Sequence, residues 1–207
     1  MEIESSTLDL RLAQRVRELR AQRGLTLHAL AERTGVSRSM ISLVERGESS
    51  PTAAVLDKLA GGLGVTLASL FAPPERQDAS PVARRAEQTT WRDPESGYVR
   101  RNLSPPGHPS PIELVEVELP PGTRVAYDTP AMGRAVPIAQ QIWILAGRLQ
   151  LRVGDALHVL DTGDCLAMRL DASVTFHNPT DEPVRYVVAL AADAGAAGGR
   201  PNRSIGG

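Results

Sequence analysis

Apolar residues recur at helical spacing through the first part of the chain and at strand spacing through the rest. In LAQRVRELRAQRG and the Arg11 before it, Leu12, Val16 and Leu19 fall on one helical face, while Arg11, Arg15, Arg17, Arg20 and Arg23 fall largely on the others. Residues 25–47, LTLHALAERTGVSRSMISLVERG, hold two short amphipathic segments broken by one glycine. Thr26 is placed to cap the first, which buries Leu27, Leu30 and Ala31. Gly35 carries the backbone through a left-handed turn, Val36 is the apolar residue within it, and Ser37 caps the second segment. That segment buries Met40, Ile41 and Val44 and leaves Arg38, Ser39 and Ser42 outward. Pro51-Thr52 opens a fourth helix with Val55, Leu56, Leu59 and Ala60 apolar, and Thr66 caps a short fifth over Leu67 to Phe71. The pattern therefore predicts a compact five-helix unit over residues 8–71.

APPERQDASP then reads as a polar, proline-bearing linker over residues 72–81. From Val82 the helical period disappears. IELVEVELPPG alternates Val115, Val117 and Leu119 against Glu116 and Glu118 and stops at Pro120-Pro121-Gly122. RLQLRVGDALHVL alternates Leu149, Leu151 and Val153 against Arg148, Gln150 and Arg152, turns at Gly154-Asp155, and returns through Leu157 and Val159. VRYVVALA is the last strand. About eight to ten strands in this stretch predict an antiparallel β-barrel or sandwich over residues 82–191. The Gly- and Ala-rich residues 192–207 read as a flexible tail, and the acidic first seven residues as unstructured.

The segments RELRAQRGLT, LAERTGVSRSMISLVERG, SPT and LDKLAGGLGVTLASLF together resemble the XRE-type, phage-repressor-like helix-turn-helix domain. The resemblance implies that the second helix of the pair enters the major groove of double-stranded DNA, where Arg reads guanine and Ser contacts base edges or phosphate. The candidate DNA contacts are Thr26, His28, Ser37, Arg38, Ser39, Ser42, Arg46, Ser50 and Thr52. His28 stands where these domains often carry a glutamine that braces phosphate. Farther on, IWILAGRLQLRVGDALHVLDTGDCLAMRLDASVTFHNPTDEP resembles the cupin barrel in its strand-Gly, strand-Gly-Asp, strand-Asn-Pro rhythm. WRDPESGYVRRNLSPPG looks like the lead-in strands of regulators that join this helix-turn-helix to a C-terminal cupin.

Charge narrows the partner. The chain carries −1 overall, so it is no general polyanion binder, yet residues 8–52 hold eight basic against five acidic groups. That modest local excess fits a selective reader with few phosphate contacts. The single cysteine, Cys165, excludes an intramolecular disulfide and a multi-cysteine zinc site and suits a reducing compartment. No run of about eighteen apolar residues and no secretory signal is present, so a cytoplasmic protein is expected.

Metal-binding cupins, by resemblance, supply His-x-His, a Glu and a later His. Anchored on Gly147, the Glu position falls on Gln140 and the two histidine positions on Arg134 and Val136, or on Gly133 and Ala135. Anchored on Gly163 and Asn178, the last histidine position falls on Val174. None of these is an imidazole or carboxylate. His177 lies three residues beyond Val174, an odd offset that points it to the opposite face of a regular strand. His108 and His158 have no partner at ligand spacing and read as structural or solvated. A metal-free barrel without cofactor is therefore expected, with an apolar pocket formed by Arg134, Val136, Gln140, Ile142, Met168, Val174 and Phe176. Ile144 shares their inward parity.

The expectation is a transcriptional regulator and repressor, not an enzyme: a homodimer reading a two-fold operator, its barrel serving dimerisation and sensing of a small organic effector. The alternatives are a cupin enzyme tethered to DNA, which needs a metal or acid–base group in the barrel, and an antitoxin-like module that binds another protein.

Overall fold

The computed structural model describes residues 2–127 and 137–192. The expected tail beyond residue 192 and the pocket candidates Gly133, Arg134, Ala135 and Val136 lie outside the described residues. Four helices come first: α1 (Glu2–Gln22), α2 (Leu27–Thr34), α3 (Arg38–Glu45) and α4 (Ala53–Leu63). Among the described residues ten strands follow: β1 (Thr90–Arg92), β2 (Val99–Asn102), β3 (Ile112–Leu119), β4 (Arg124–Tyr127), β5 (Ile138–Ala146), β6 (Arg148–Val153), β7 (Ala156–Asp161), β8 (Cys165–Arg169), β9 (Val174–His177) and β10 (Val184–Ala192).

Two expectations are corrected. Residues 2–7, expected to be unstructured, belong to α1, which begins at Glu2. The fifth helix is only a 3-10 turn, Ala68–Leu70. Thr66 does cap that turn, its Oγ1 accepting from the Ser69 amide at 3.0 Å. The same hydroxyl and that of Ser69 both donate to Glu113 on β3, so strand contacts take the segment over before a longer helix develops.

Leu12, Val16, Leu19, Leu30, Ile41, Val44, Leu56, Leu59 and Leu63 form the helical core, each at most 3 % exposed. A bidentate ion pair ties α1 to α3: Arg20 Nε and Nη2 donate to Glu45 at 2.6 and 2.8 Å, and Arg20 Nη1 also bonds the Leu25 carbonyl. That pair raises the Arg20 pKa, chiefly through the hydrogen bond to Glu45.

The strands form two antiparallel sheets, ordered β1-β2-β3-β10-β5-β8 and β4-β9-β6-β7. Along β5 Ile138, Gln140, Ile142 and Ile144 are buried, while Ala139, Gln141 and Trp143 are exposed. Burial along β9 alternates likewise, with Val174 and Phe176 inward. Period two thus sorts one face of each sheet into a shared core. Gly147, at φ 85°, joins β5 to β6 where any Cβ would lie 3.1 Å from the Pro183 carbonyl oxygen and from Val184 Cα. The Asn-Pro signal is equally physical. Asn178 is fully buried, donates to the carbonyls of Leu119, Pro120 and Glu182, and accepts from the amide and hydroxyl of Thr180. One side chain thereby joins the turns after β3 and β9.

The helical and strand-rich parts are packed together. Thr52 occupies the N-cap position of α4 but makes no side-chain cap bond. The cap comes instead from Asp93, in the turn after β1, whose Oδ1 accepts from the Ala53 amide at 2.9 Å. Asp93 is buried, and its Oδ2 is fixed by the amide and hydroxyl of Ser96. An anion at this end also suits the helix dipole. Asp93→Ala should therefore cost about 1–2 kcal/mol, read as a lower urea midpoint with an unchanged slope. Aromatic contacts extend the joint, with Phe71 and Trp91 ring centroids 5.4 Å apart and Trp91 edge-on to Tyr98 at 5.8 Å.

Candidate nucleic-acid interface and internal cavity

The helix pair is built by its caps. Thr26 Oγ1 accepts from the Ala29 amide at 3.0 Å, and Ser37 Oγ accepts from the Met40 amide at 3.2 Å. Between them Gly35 sits at φ 69°, its amide donating to the Ala31 carbonyl. Leu30, Val36, Ile41 and Val44 are buried, and Leu27, Ala31 and Met40 pack partly buried against them. This leaves Ser37, Arg38 and Ser39 exposed at the start of α3. Arg38, Ser42 and Arg46 recur every four residues and so share one face of α3 and its C-cap.

The structure separates the candidate contacts by what each side chain already does. Arg38 projects from the exposed face, whereas Arg46 donates to Ser42 and, at 2.7 Å, to Glu48. That hydrogen bond lowers the Glu48 pKa, so a phosphate approaching Arg46 competes with a firmly ionised carboxylate. Glu48 was not among the sequence candidates, although its position two residues after Arg46 was the available signal. Ser50 donates to Asp9 on α1 at 2.9 Å. The Thr26 hydroxyl is engaged as a cap, Thr52 is half-buried, and His28 is exposed 3.4 Å from Glu32.

A cavity of about 780 Å³, its open mouth included, lies between the sheets and reaches α4. Its wall is mainly apolar, with Val115, Val125, Val174, Phe176 and Leu190 among the lining side chains. Of the sequence candidates, Gln140, Val174 and Phe176 line it, whereas Ile142 and Met168 do not. Ile142 is fully buried and Met168 packs partly buried against the core. Parity gave their side of the sheet but not their depth along the strand. The sequence pattern missed the polar lining: Arg100 on β2 together with Tyr98, Tyr127 and Tyr186, and on the helical side Asp57 and Thr66. Tyr98 and Tyr127 hydroxyls meet at 3.1 Å, and Phe176 stacks on Tyr186 with centroids 5.8 Å apart. Burial is the leading cause that raises the pKa of all three tyrosines, so they remain neutral phenols.

Gln140 and Val174, at the positions where the resemblance to cupins puts metal ligands, are an amide and an alkyl side chain that do not fit a metal, and among the described residues no three His, Cys, Asp or Glu side chains cluster to hold one. His177 faces away from Val174, with Nδ1 3.1 Å from Gln150 Oε1. Desolvation first, then the charge of Arg124, lowers its pKa. His108 Nδ1 lies 3.2 Å from the Ala79 carbonyl oxygen, bracing the segment before the strands. No helix among the described residues is long and apolar enough to cross a membrane.

Comparison with known proteins places these features. The helix-turn-helix family model HTH_3 matches residues 16–70. The HTH-type transcriptional regulator SutR of Escherichia coli K12 is 29% identical over 175 residues, covering 84% of this chain and 91% of that protein. The uncharacterized HTH-type transcriptional regulator y4dJ of Sinorhizobium fredii is 37% identical over 67 residues, which cover 32% of this chain and 83% of that shorter protein. Among solved structures, an HTH_3 family transcriptional regulator from Vibrio cholerae superposes with a TM-score of 0.70 at 25% identity, covering 90% of this chain and 98% of that one. With capped α2 and α3, the matched family segment and these relatives in agreement, the chain belongs to the XRE-type helix-turn-helix transcriptional regulators.

Proposed function

We propose that the protein is a repressor that reads a two-fold operator as a homodimer and releases or grips it according to a small effector in a cupin-like barrel. In this reading residues 8–71 contact DNA, residues 72–81 connect, and residues 82–191 sense and dimerise. The observation that carries it is the exposed opening of α3, where Ser37, Arg38 and Ser39 stand clear on a helix held rigid from behind. Arg38 is assigned to a base edge, with Ser37, Ser39 and Ser42 at neighbouring bases or phosphates. Arg46, His28 and the remaining candidates, Thr26, Ser50 and Thr52, are assigned to backbone positioning.

A single recognition helix reads only a few base pairs, so specificity calls for two half-sites about one turn apart. The outer face of the six-stranded sheet supports a second copy as partner. Its paired positions run Leu114, Ala189, Gln141, Ala167 in one row, with Ile112, Ala191, Ala139 and Arg169 on one side and Glu116, Val187, Trp143 and Cys165 on the other. Trp143 and Ile112 are each 51 % exposed there, an apolar surface of the kind that marks an interface. Effector control is supported by the shared cavity wall: Asp57 belongs to α4, and Thr66 and Leu67 follow it directly. A ligand there acts on DNA binding only if it favours one arrangement of that wall over another.

Footprinting on genomic fragments tests the proposal, with a symmetric protected site expected. Arg38→Ala should cost about 1–3 kcal/mol and relax preference at one base pair. A single asymmetric half-site, or uniform weakening across all sequences, would count against the assignment.

A further inference from the structure

We propose that the cavity takes a small organic monocarboxylic acid, its carboxylate held by Arg100 and its hydrocarbon body by the apolar wall. The proposal rests on the effector reading above and names its ligand class.

Arg100 is 6 % exposed, and among the described residues its Nε–H meets no acceptor. Guanidinium keeps its charge in any protein setting, so a buried donor of this kind has much to gain from an acceptor. The group is held in place rather than loose, because its Cζ lies 5.6 Å from the centre of the Phe71 ring. A fixed planar fork matches the two oxygens of a carboxylate. Tyr98, Tyr127 and Tyr186 add phenol groups to the same lining, and Gln140 adds an amide donor. Neutral phenols suit the remaining lone pairs of an anion without changing its charge.

The rest of the lining limits the ligand. Val115, Val125, Val174 and Leu190 offer nothing to a second polar end, and favour a short alkyl chain or an aromatic ring. Arg100, the one Lys or Arg among the described lining residues, and an otherwise largely apolar wall favour a monoanion over a phosphate ester or a dicarboxylate.

Calorimetric titration of the full-length protein with butanoate, hexanoate, octanoate and phenylacetate, each against its primary amide, tests this. The amide keeps the shape and removes the charge. At least one acid should bind about tenfold more tightly than its amide, a gap of about 1.4 kcal/mol. Arg100→Met should bring that acid to the affinity of its amide and leave the amide unchanged. Equal affinities in the unaltered protein, equal loss of acid and amide in the variant, or no binding by any compound would overturn the proposal. The acid–amide comparison needs no variant, so it decides the matter even if Arg100→Met folds poorly. Footprinting of the same preparation separates the two readings: a protected two-fold site without acid preference removes this ligand class and leaves the regulator.

Discussion

Replacing Trp143 with lysine is expected to turn the proposed homodimer into a monomer and to weaken operator binding by about 10²–10⁴-fold, the advantage of joining two recognition modules. Trp143 projects from the exposed side of β5, opposite the buried Ile142 and Ile144, so the substitution leaves the intersheet core untouched. Its pairing positions, Val187 on β10 and Cys165 on β8, place it within the sheet face rather than at an edge. Tryptophan in such a place is the residue type that most often dominates binding energy, and a lysine there would put a charge into the apolar contact of each copy. Sedimentation velocity checks the state and titration of a footprinted site checks the affinity. A lysine variant that stays dimeric with native Tm would place the interface elsewhere on the molecule.

Glu45→Ala is expected to destabilise the helical part by about 3 kcal/mol, the low end for breaking a buried ion pair. Glu45 is 7 % and Arg20 18 % exposed, so the alanine variant leaves a guanidinium charge with little water to replace its partner. The double replacement Arg20→Met with Glu45→Met should recover most of the loss, since it removes both desolvation costs together. Urea unfolding of the three proteins measures this. Equal instability of the single and double variants would mean that the side chains act by packing rather than by charge. The effect matters for DNA because Arg20 holds the back of α3, and a shift there moves Arg38 at its front.

Much of this was legible in the residues because it is local. Thr26, Gly35 and Ser37 sit within a few positions of the groups they satisfy, so cap and turn could be read directly. Gln140 and Val174 came from the resemblance to the cupin motif and Phe176 from the inward parity of its strand, and all three line the cavity. Thr66 shows the boundary of that method. Its cap was readable, but the competing pull of Glu113, 47 positions away, was not, and the helix shrank to one turn. Arg100 was hidden for a related reason. It lies in VRRN, a charged tetrapeptide with no apolar period, where nothing local says which arginine turns inward. Arg101, its neighbour, points the other way and pairs with Glu116.

The carboxylate of Asp93 has a consequence for how the two halves of the chain come into being. A ribosome releases α4 well before the turn that carries Asp93, so the helical part is first made with one end of its fourth helix unsatisfied. It acquires that hydrogen bond only when β1 and β2 have formed. The helical part therefore completes its fourth helix with a group from the strand-rich part: made alone, it would lose the Asp93 carboxylate and leave that helix end to the Thr52 hydroxyl or to water.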